Sequence, residues 1–242
     1  MTDPVARLRA GEALAARADP VRLAATSRRN LVLTVACASL AVVALGGSGY
    51  ALLDRVRPTL FASLGAFGVV VLALVALLVH QRRHLRRCVA PDGTVLAFTR
   101  EALVLGPLLC PWTEVVGVGV ADMRPEIARR RRRVLLRGIT SLAQRSGNGS
   151  VALTVVVRDG DAARGALAPA DRRLVRTWPH RSGVRRGEVR VLLDTLLDAG
   201  QVEAVLRDLG PVLAHVGVPL EPVTDRQGYL AQLGRLTDDQ RA

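Results

Sequence analysis

Two uncharged apolar runs, 31–53 and 59–79, separated only by Asp54-Arg55-Val56-Arg57-Pro58, constrain this chain more than any other feature. At about 1.5 Å per residue, either run is long enough as a helix to cross a hydrocarbon core of roughly 30 Å. Lipid admits only helices or closed barrels, because every backbone polar group must be paired within the protein. The pattern therefore predicts a transmembrane helical hairpin. A cleaved signal peptide fits less well, since its apolar stretch covers roughly 7 to 15 residues and the first run here spans 31–53.

A chain of 242 residues leaves room beside the hairpin for one soluble domain of ordinary size. The expected division is an N-terminal arm (1–29), the hairpin (30–80), a soluble domain with its connector (81–220) and a C-terminal tail (221–242). Arg22, Arg28 and Arg29 precede the first run, and Arg82, Arg83, Arg86 and Arg87 follow the second. By the positive-inside rule this asymmetry predicts a multi-pass protein of the cell membrane with both termini cytoplasmic. The formal charge is +13, and all 34 basic residues are arginine. Part of that excess reads as a compositional bias of the genome. What remains favours anionic lipid head groups as partners over nucleic acid, which is not expected. Cys37, Cys88 and Cys110 are an odd set in a reducing compartment and imply no disulfide framework.

Within the hairpin, Gly46-Gly47-Ser48-Gly49-Tyr50 faces a second run containing Ala62, Gly65, Ala66 and Gly68. Small residues of this kind let helix backbones approach closely in lipid. Neither run holds an Asp, Glu, Arg or His in its interior, which argues against a proton relay or ion path. Pro58 suits the first turn of the second helix. If that helix continues past Val79, His80, His84 and Cys88 fall on one face. No acidic or Cys/His partner follows at metal-site spacing, and four arginines crowd the segment, so interfacial anchoring is expected and no metal site.

Beyond Val89 the period becomes strand-like, with short runs at 94–98, 102–105, 112–120, 134–139, 151–158 and 189–193 separated by turn residues. Gly147-Asn148-Gly149-Ser150 is a turn signal; a phosphate-cradling loop would need a Lys-Ser/Thr pair or a helix start after it. Residues 159–187 read as a long loop, pinned by Trp178, with a helical turn at 169–176. Residues 1–29 read as a mobile or surface-lying arm, since their helical stripe is weak. From 201 to 216, Val202, Val205, Leu206, Leu209, Val212, Leu213 and Val216 trace one apolar helical face. Asp198 and Gln201 form a capping box at its start, and Gly217 ends it. Tyr229, Leu230, Leu233 and Leu236 leave a short extra helix or a loosely packed tail open.

The hairpin at 94–105, the motif Pro111-Trp112-Thr113-Glu114-Val115 on the next strand, the further strands and one closing amphipathic helix resemble bacterial, actinobacterial-type membrane proteins in which a PH-like domain follows a transmembrane hairpin. The resemblance covers about 89–220. It implies a membrane α-helical hairpin plus an α+β soluble domain, the latter a PH-like, partly open, bent antiparallel β-barrel capped by its C-terminal amphipathic helix, with Trp112 in the core. It also implies a binding or assembly module.

Nothing in the sequence resembles catalytic machinery. His180 and His215 stand apart from any nucleophile, and Glu101, Glu114, Asp122, Glu126, Asp194 and Asp198 show no acid–base pairing. No catalytic residue, cofactor or metal is expected. The expected function is a membrane-anchored, non-catalytic interaction module whose cytoplasmic domain binds anionic lipid head groups or another membrane protein, with self-association also open. The alternative is an accessory or regulatory subunit of a membrane enzyme or transporter complex. The candidate lipid-binding residues are Arg129, Arg130, Arg131, Arg132 and Arg133, five consecutive cations that a strand could not bury and that are therefore expected to begin in an exposed loop or sheet edge.

Overall fold

The computed structural model describes residues 3–53, 58–132 and 149–237. Arg133 and the strand expected at 134–139 lie outside them. Both apolar runs are helical, and each helix overruns its run into the basic flank: α2 covers Pro20–Leu53 and α3 covers Pro58–Arg87. Val32, Val42, Val43, Val69, Val70 and Leu77 point outward, each more than half exposed. Helices of this length with so much outward apolar surface suit a lipid surrounding.

The two helices meet through small residues. Ala41, Ala44, Val71 and Leu78 are buried between them. Gly47 faces Leu64, Gly65 faces the Ser48 hydroxyl, and Gly68 lies so close to Leu45 that a Cβ there would come within 2.7 Å of its side chain. The buried Ser48 hydroxyl donates to the Phe61 carbonyl at 3.1 Å, satisfying it without water. Gly46 and Gly49, from the same cluster, have open space beside them.

The N-terminal arm differs from expectation. Pro4–Arg9 forms α1, capped by Asp3, and Leu14–Arg17 forms β1. That strand pairs antiparallel with the strand Thr94–Phe98, and Leu8, Leu14 and Ala16 are buried. The helical stripe is weak because the burial signal is a strand's alternation, only four residues long.

The body consists of two open sheets. The first is antiparallel in the order β1-β2-β3-β4, with β2 at Thr94–Phe98, β3 at Ala102–Leu105 and β4 at Leu108–Pro111. The second has the order β7-β8-β6-β5-β9, comprising β5 (Val115–Asp122), β6 (Val151–Val157), β7 (Val175–Trp178), β8 (Arg186–Leu192) and β9 (Leu220–Val223). All pairs are antiparallel except β5 with β9. Both sheets are open and among the described residues no closed barrel forms, while a helical hairpin followed by an α+β body agrees with expectation. The chain passes between sheets at Pro111 and a 3-10 turn, Trp112–Glu114, so the ladder is interrupted where a barrel would need a continuously bent strand. For the same reason the strand expected at 112–120 begins only at Val115.

Apolar side chains of both sheets share one core, including Leu96, Phe98, Leu105, Leu153, Val155 and Val189. Into it the helix Ala199–Val216 inserts Val202, Val205, Leu209, Val212 and Leu213. Beyond β5, the remaining helices are α4 (Arg124–Arg131), α5 (Gly160–Gly165), α6 (Leu193–Leu196), α7 (Ala199–Val216) and α8 (Arg226–Thr237). The capping box of Asp198 and Gln201 is present, and Gly217 closes α7 at φ 72°, a left-handed conformation glycine adopts cheaply. Residues 159–187 are more ordered than a long loop: they hold α5, a 3-10 turn at Arg172–Leu174 and β7. The tail is helical, and Tyr229 and Gln232 of α8 are buried against the second sheet.

Candidate membrane-facing site

Both helices of the hairpin are built into the body. At the end of α3, Leu85 and Cys88 are buried in the common core, and the His84 ring lies 2.9 Å from the Arg190 carbonyl on β8. The turn between β3 and β4 seats on the same spot: Gly106 has φ 54°, and a Cβ there would stand 2.8 Å from the Cys88 carbonyl. At the start of α2, Asp19 accepts from the amides of Val21 and Arg22, and its own amide donates to Leu196. The Arg22 guanidinium donates to the Asp194 carbonyl at 3.1 Å. These joints tie the body to both helices of the hairpin. Burial pushes the Cys88 thiol up to about 12, as suits a side chain packed in the core. Among the described residues His80, His84 and Cys88 gain no further ligand that would make a metal group.

Between the apolar belt and the body stands a collar of arginines. Arg28 and Arg29 on α2 and Arg83 and Arg86 on α3 are exposed. Arg82 is half-buried and ties the helices together by donating from Nε to the Ser27 hydroxyl at 3.1 Å. Neither α2 nor α3 carries a single carboxylate.

The consecutive arginines sit elsewhere, and not in a loop or on a sheet edge. Arg129, Arg130 and Arg131 lie in α4, and Arg132 is its C-cap. Pro125 in the first turn favours a helix start, and Glu126 pairs with Arg130 one turn on. Arg129, Arg130 and Arg132 are exposed. The root of α4 is fixed by Arg124, whose guanidinium forks between Asp122 at the end of β5 and Glu203 on α7. That bond holds the Asp122 carboxyl below its ordinary range. The end of β5 that launches α4 lies beside the start of β6 and the end of β8, where Asp194 and α6 meet α2. The structure thus brings α4 and the collar to one end of the second sheet.

Other sequence candidates resolve as structure-forming. The Ser150 amide and hydroxyl and the Val151 amide all donate to Asp194, so the donors a phosphate would need at Gly149-Ser150 already serve a carboxylate. Gly147 and Asn148 lie outside the described residues. Trp112 is half-buried at the sheet-to-sheet turn, stacked on Phe98 at 6.5 Å, with its indole N–H donating to the Thr99 carbonyl. Trp178 pins its segment as expected: it donates to Glu188 at 3.1 Å and carries the Arg176 guanidinium over its ring.

Sequence reasoning missed the polar outer face of the second sheet. There Glu188 and Thr154 are buried, Arg190 lies over the Tyr229 ring, and the Gln232 amide covers Gly119 and donates to the Glu221 carbonyl. The only signal was the polar alternation in Arg186-Gly187-Glu188-Val189-Arg190, which is ordinary for a solvent-facing strand. No family model, no curated protein and no solved structure matches this chain.

Proposed function

We propose that this chain is a membrane-anchored, non-catalytic interaction module, with its hairpin in the bilayer, both termini on the cytoplasmic side, and a soluble body that meets anionic lipid head groups through the arginines of α4 and the segment after it, Arg129 to Arg133. A PH-like relationship is supported by two packed antiparallel-rich sheets with one inserted C-terminal helix, the barrel aside. The observation that carries the functional reading is the joint at Leu85, Cys88 and Arg190. A body locked onto the hairpin stays within a short distance of the head groups, where the negative surface potential contributes about 1 kcal/mol per arginine. Weak contacts then suffice, because tethering raises the local concentration.

The test uses the full chain in lipid nanodiscs. Amide exchange across 124–132 should be slower with phosphatidylglycerol than with phosphatidylcholine, and the difference should vanish at high salt or in the R129Q/R130Q/R132Q variant. Exchange indifferent to lipid charge and salt would overturn the lipid reading in favour of a protein partner. A reporter fused after Ala242 that is active only outside the cytoplasm should stay silent; its activity would overturn the topology.

A further inference from the structure

We propose that the collar itself is a second and separate anionic-phospholipid site, formed by Arg28 and Arg29 on α2 and Arg83 and Arg86 on α3. It rests on the membrane reading of the hairpin but not on any role for α4.

Several observations converge on this. Arg28 continues the exposed stripe of Val32 and Val35 on α2, at i, i+4 and i+7, so one helix face is apolar above and cationic below. Arg83 continues the exposed stripe of Leu72 and Ala76 on α3 in the same way. An anionic phospholipid has the complementary division: acyl chains for the valines and leucine, a phosphodiester for the guanidinium groups. Two features make the collar different from a generic basic flank. Its arginines have no competing carboxylate on either helix, and no ion pair joins any of them to the rest of the described residues. The Ser27–Arg82 hydrogen bond also holds the two helices together at this level, so the cations of both helices are prepositioned. A soluble acidic partner would satisfy the charge but leave the adjoining apolar stripes unmatched.

The experiment is lipid retention by the full chain, extracted from nanodiscs of equal phosphatidylglycerol and phosphatidylcholine and read by native mass spectrometry. The unaltered chain should retain phosphatidylglycerol in preference to phosphatidylcholine. In R28Q/R29Q/R83Q/R86Q that preference should disappear, falling roughly fivefold for each arginine neutralised, the equivalent of about 1 kcal/mol apiece. Replacing the same four residues by lysine should keep most of it, and R158Q/R164Q, which neutralises exposed arginines outside both the collar and α4, should leave it intact. Equal retention of the two lipids by the unaltered chain, or undiminished preference in the four-glutamine variant, would overturn the proposal. Extraction of the chain from membranes by alkaline carbonate would instead overturn the membrane reading beneath it. A four-glutamine variant that loses lipid selectivity together with its cooperative urea transition, while the four-lysine variant loses selectivity but stays folded, would also count against the collar.

Discussion

Leu206 and Leu209 are equivalent in the sequence, both on the apolar face of α7, yet their environments differ. Leu209 is 1% exposed, whereas Leu206 is only partly buried at the margin of the core. Truncating Leu209 to alanine removes about three methylene equivalents at roughly 0.8 kcal/mol each and leaves a cavity that the surrounding sheets cannot fill, for a total loss of about 3–4 kcal/mol. The same truncation at Leu206 opens onto solvent and should cost about 1 kcal/mol. Both tryptophans of the chain, Trp112 and Trp178, lie in the soluble body, so their fluorescence during urea unfolding in mild detergent reports on that body and not on the hairpin. For a body of this size, with a denaturant slope of about 2 kcal/mol per molar, Leu209→Ala should lower the midpoint by about 1.5–2 M and Leu206→Ala by about 0.5 M. Equal shifts for the two variants would refute the inserted-helix packing and return α7 to a surface role.

Two further outcomes follow from the joint at the end of α3. Cys88 should resist maleimide at pH 8 in the folded chain and react only in denaturant, as read by peptide mass spectrometry; because burial raises its thiol to about 12 from an unfolded value near 9, its contribution to stability is complete below pH 9 and is lost as the pH rises toward 12, so urea midpoints should fall across that interval and not below it. Gly106→Ala should destabilise the body far more than Gly93→Ala, although both glycines have positive φ, because only at Gly106 would the new Cβ collide with backbone, that of Cys88; similar midpoints for the two variants would contradict the seating of the β3–β4 turn on α3.

Elements with a strong single period were legible. The hairpin was visible because an uncharged run of that length has few alternatives, and α7 because its apolar face is continuous and its capping box and Gly217 are local signals. Strands β2, β3 and β6 were visible because each lies between clear turn residues. β1 and β9 were not, since what stabilises these short strands is pairing with residues distant in sequence, such as Leu14 with Phe98, and β4, which pairs with its neighbour β3, was not either. Of the arginine run, Arg129, Arg130 and Arg132 were legible as exposed but not as part of a helix or its cap. Its order comes from the fork of Arg124 between Asp122 and Glu203, a contact that depends on how α7 packs. Of the collar, the positions were legible and the Ser27–Arg82 tie was not, because helix phase across a hairpin depends on the turn between the helices.

The pairing of β1 with β2 also changes what the hairpin can do. The chain segment before the hairpin and the segment after it belong to one sheet, so the body clasps the ends of α2 and α3 at once: Ala18 donates to the Gly93 carbonyl and Asp19 to that of Leu196, while Leu85 and Cys88 enter the core from the other helix. Cutting the chain at residue 89 would therefore remove an edge strand and five buried core residues, Leu8, Leu14, Ala16, Leu85 and Cys88, and the remainder would expose the β2 ladder and the floor of the α3 joint. In the intact chain the same arrangement means that α2 and α3 can change their mutual angle at the collar only by breaking the Ser27–Arg82 bond or by opening one of the two joints to the sheets. Core packing at the α3 joint is worth several kcal/mol on burial alone, whereas the polar contacts at the α2 joint are each worth about 1 kcal/mol. Motion within the hairpin should accordingly be expressed first at Asp19 and Arg22, beside the Asp194 clamp that also holds the start of β6 near the root of α4.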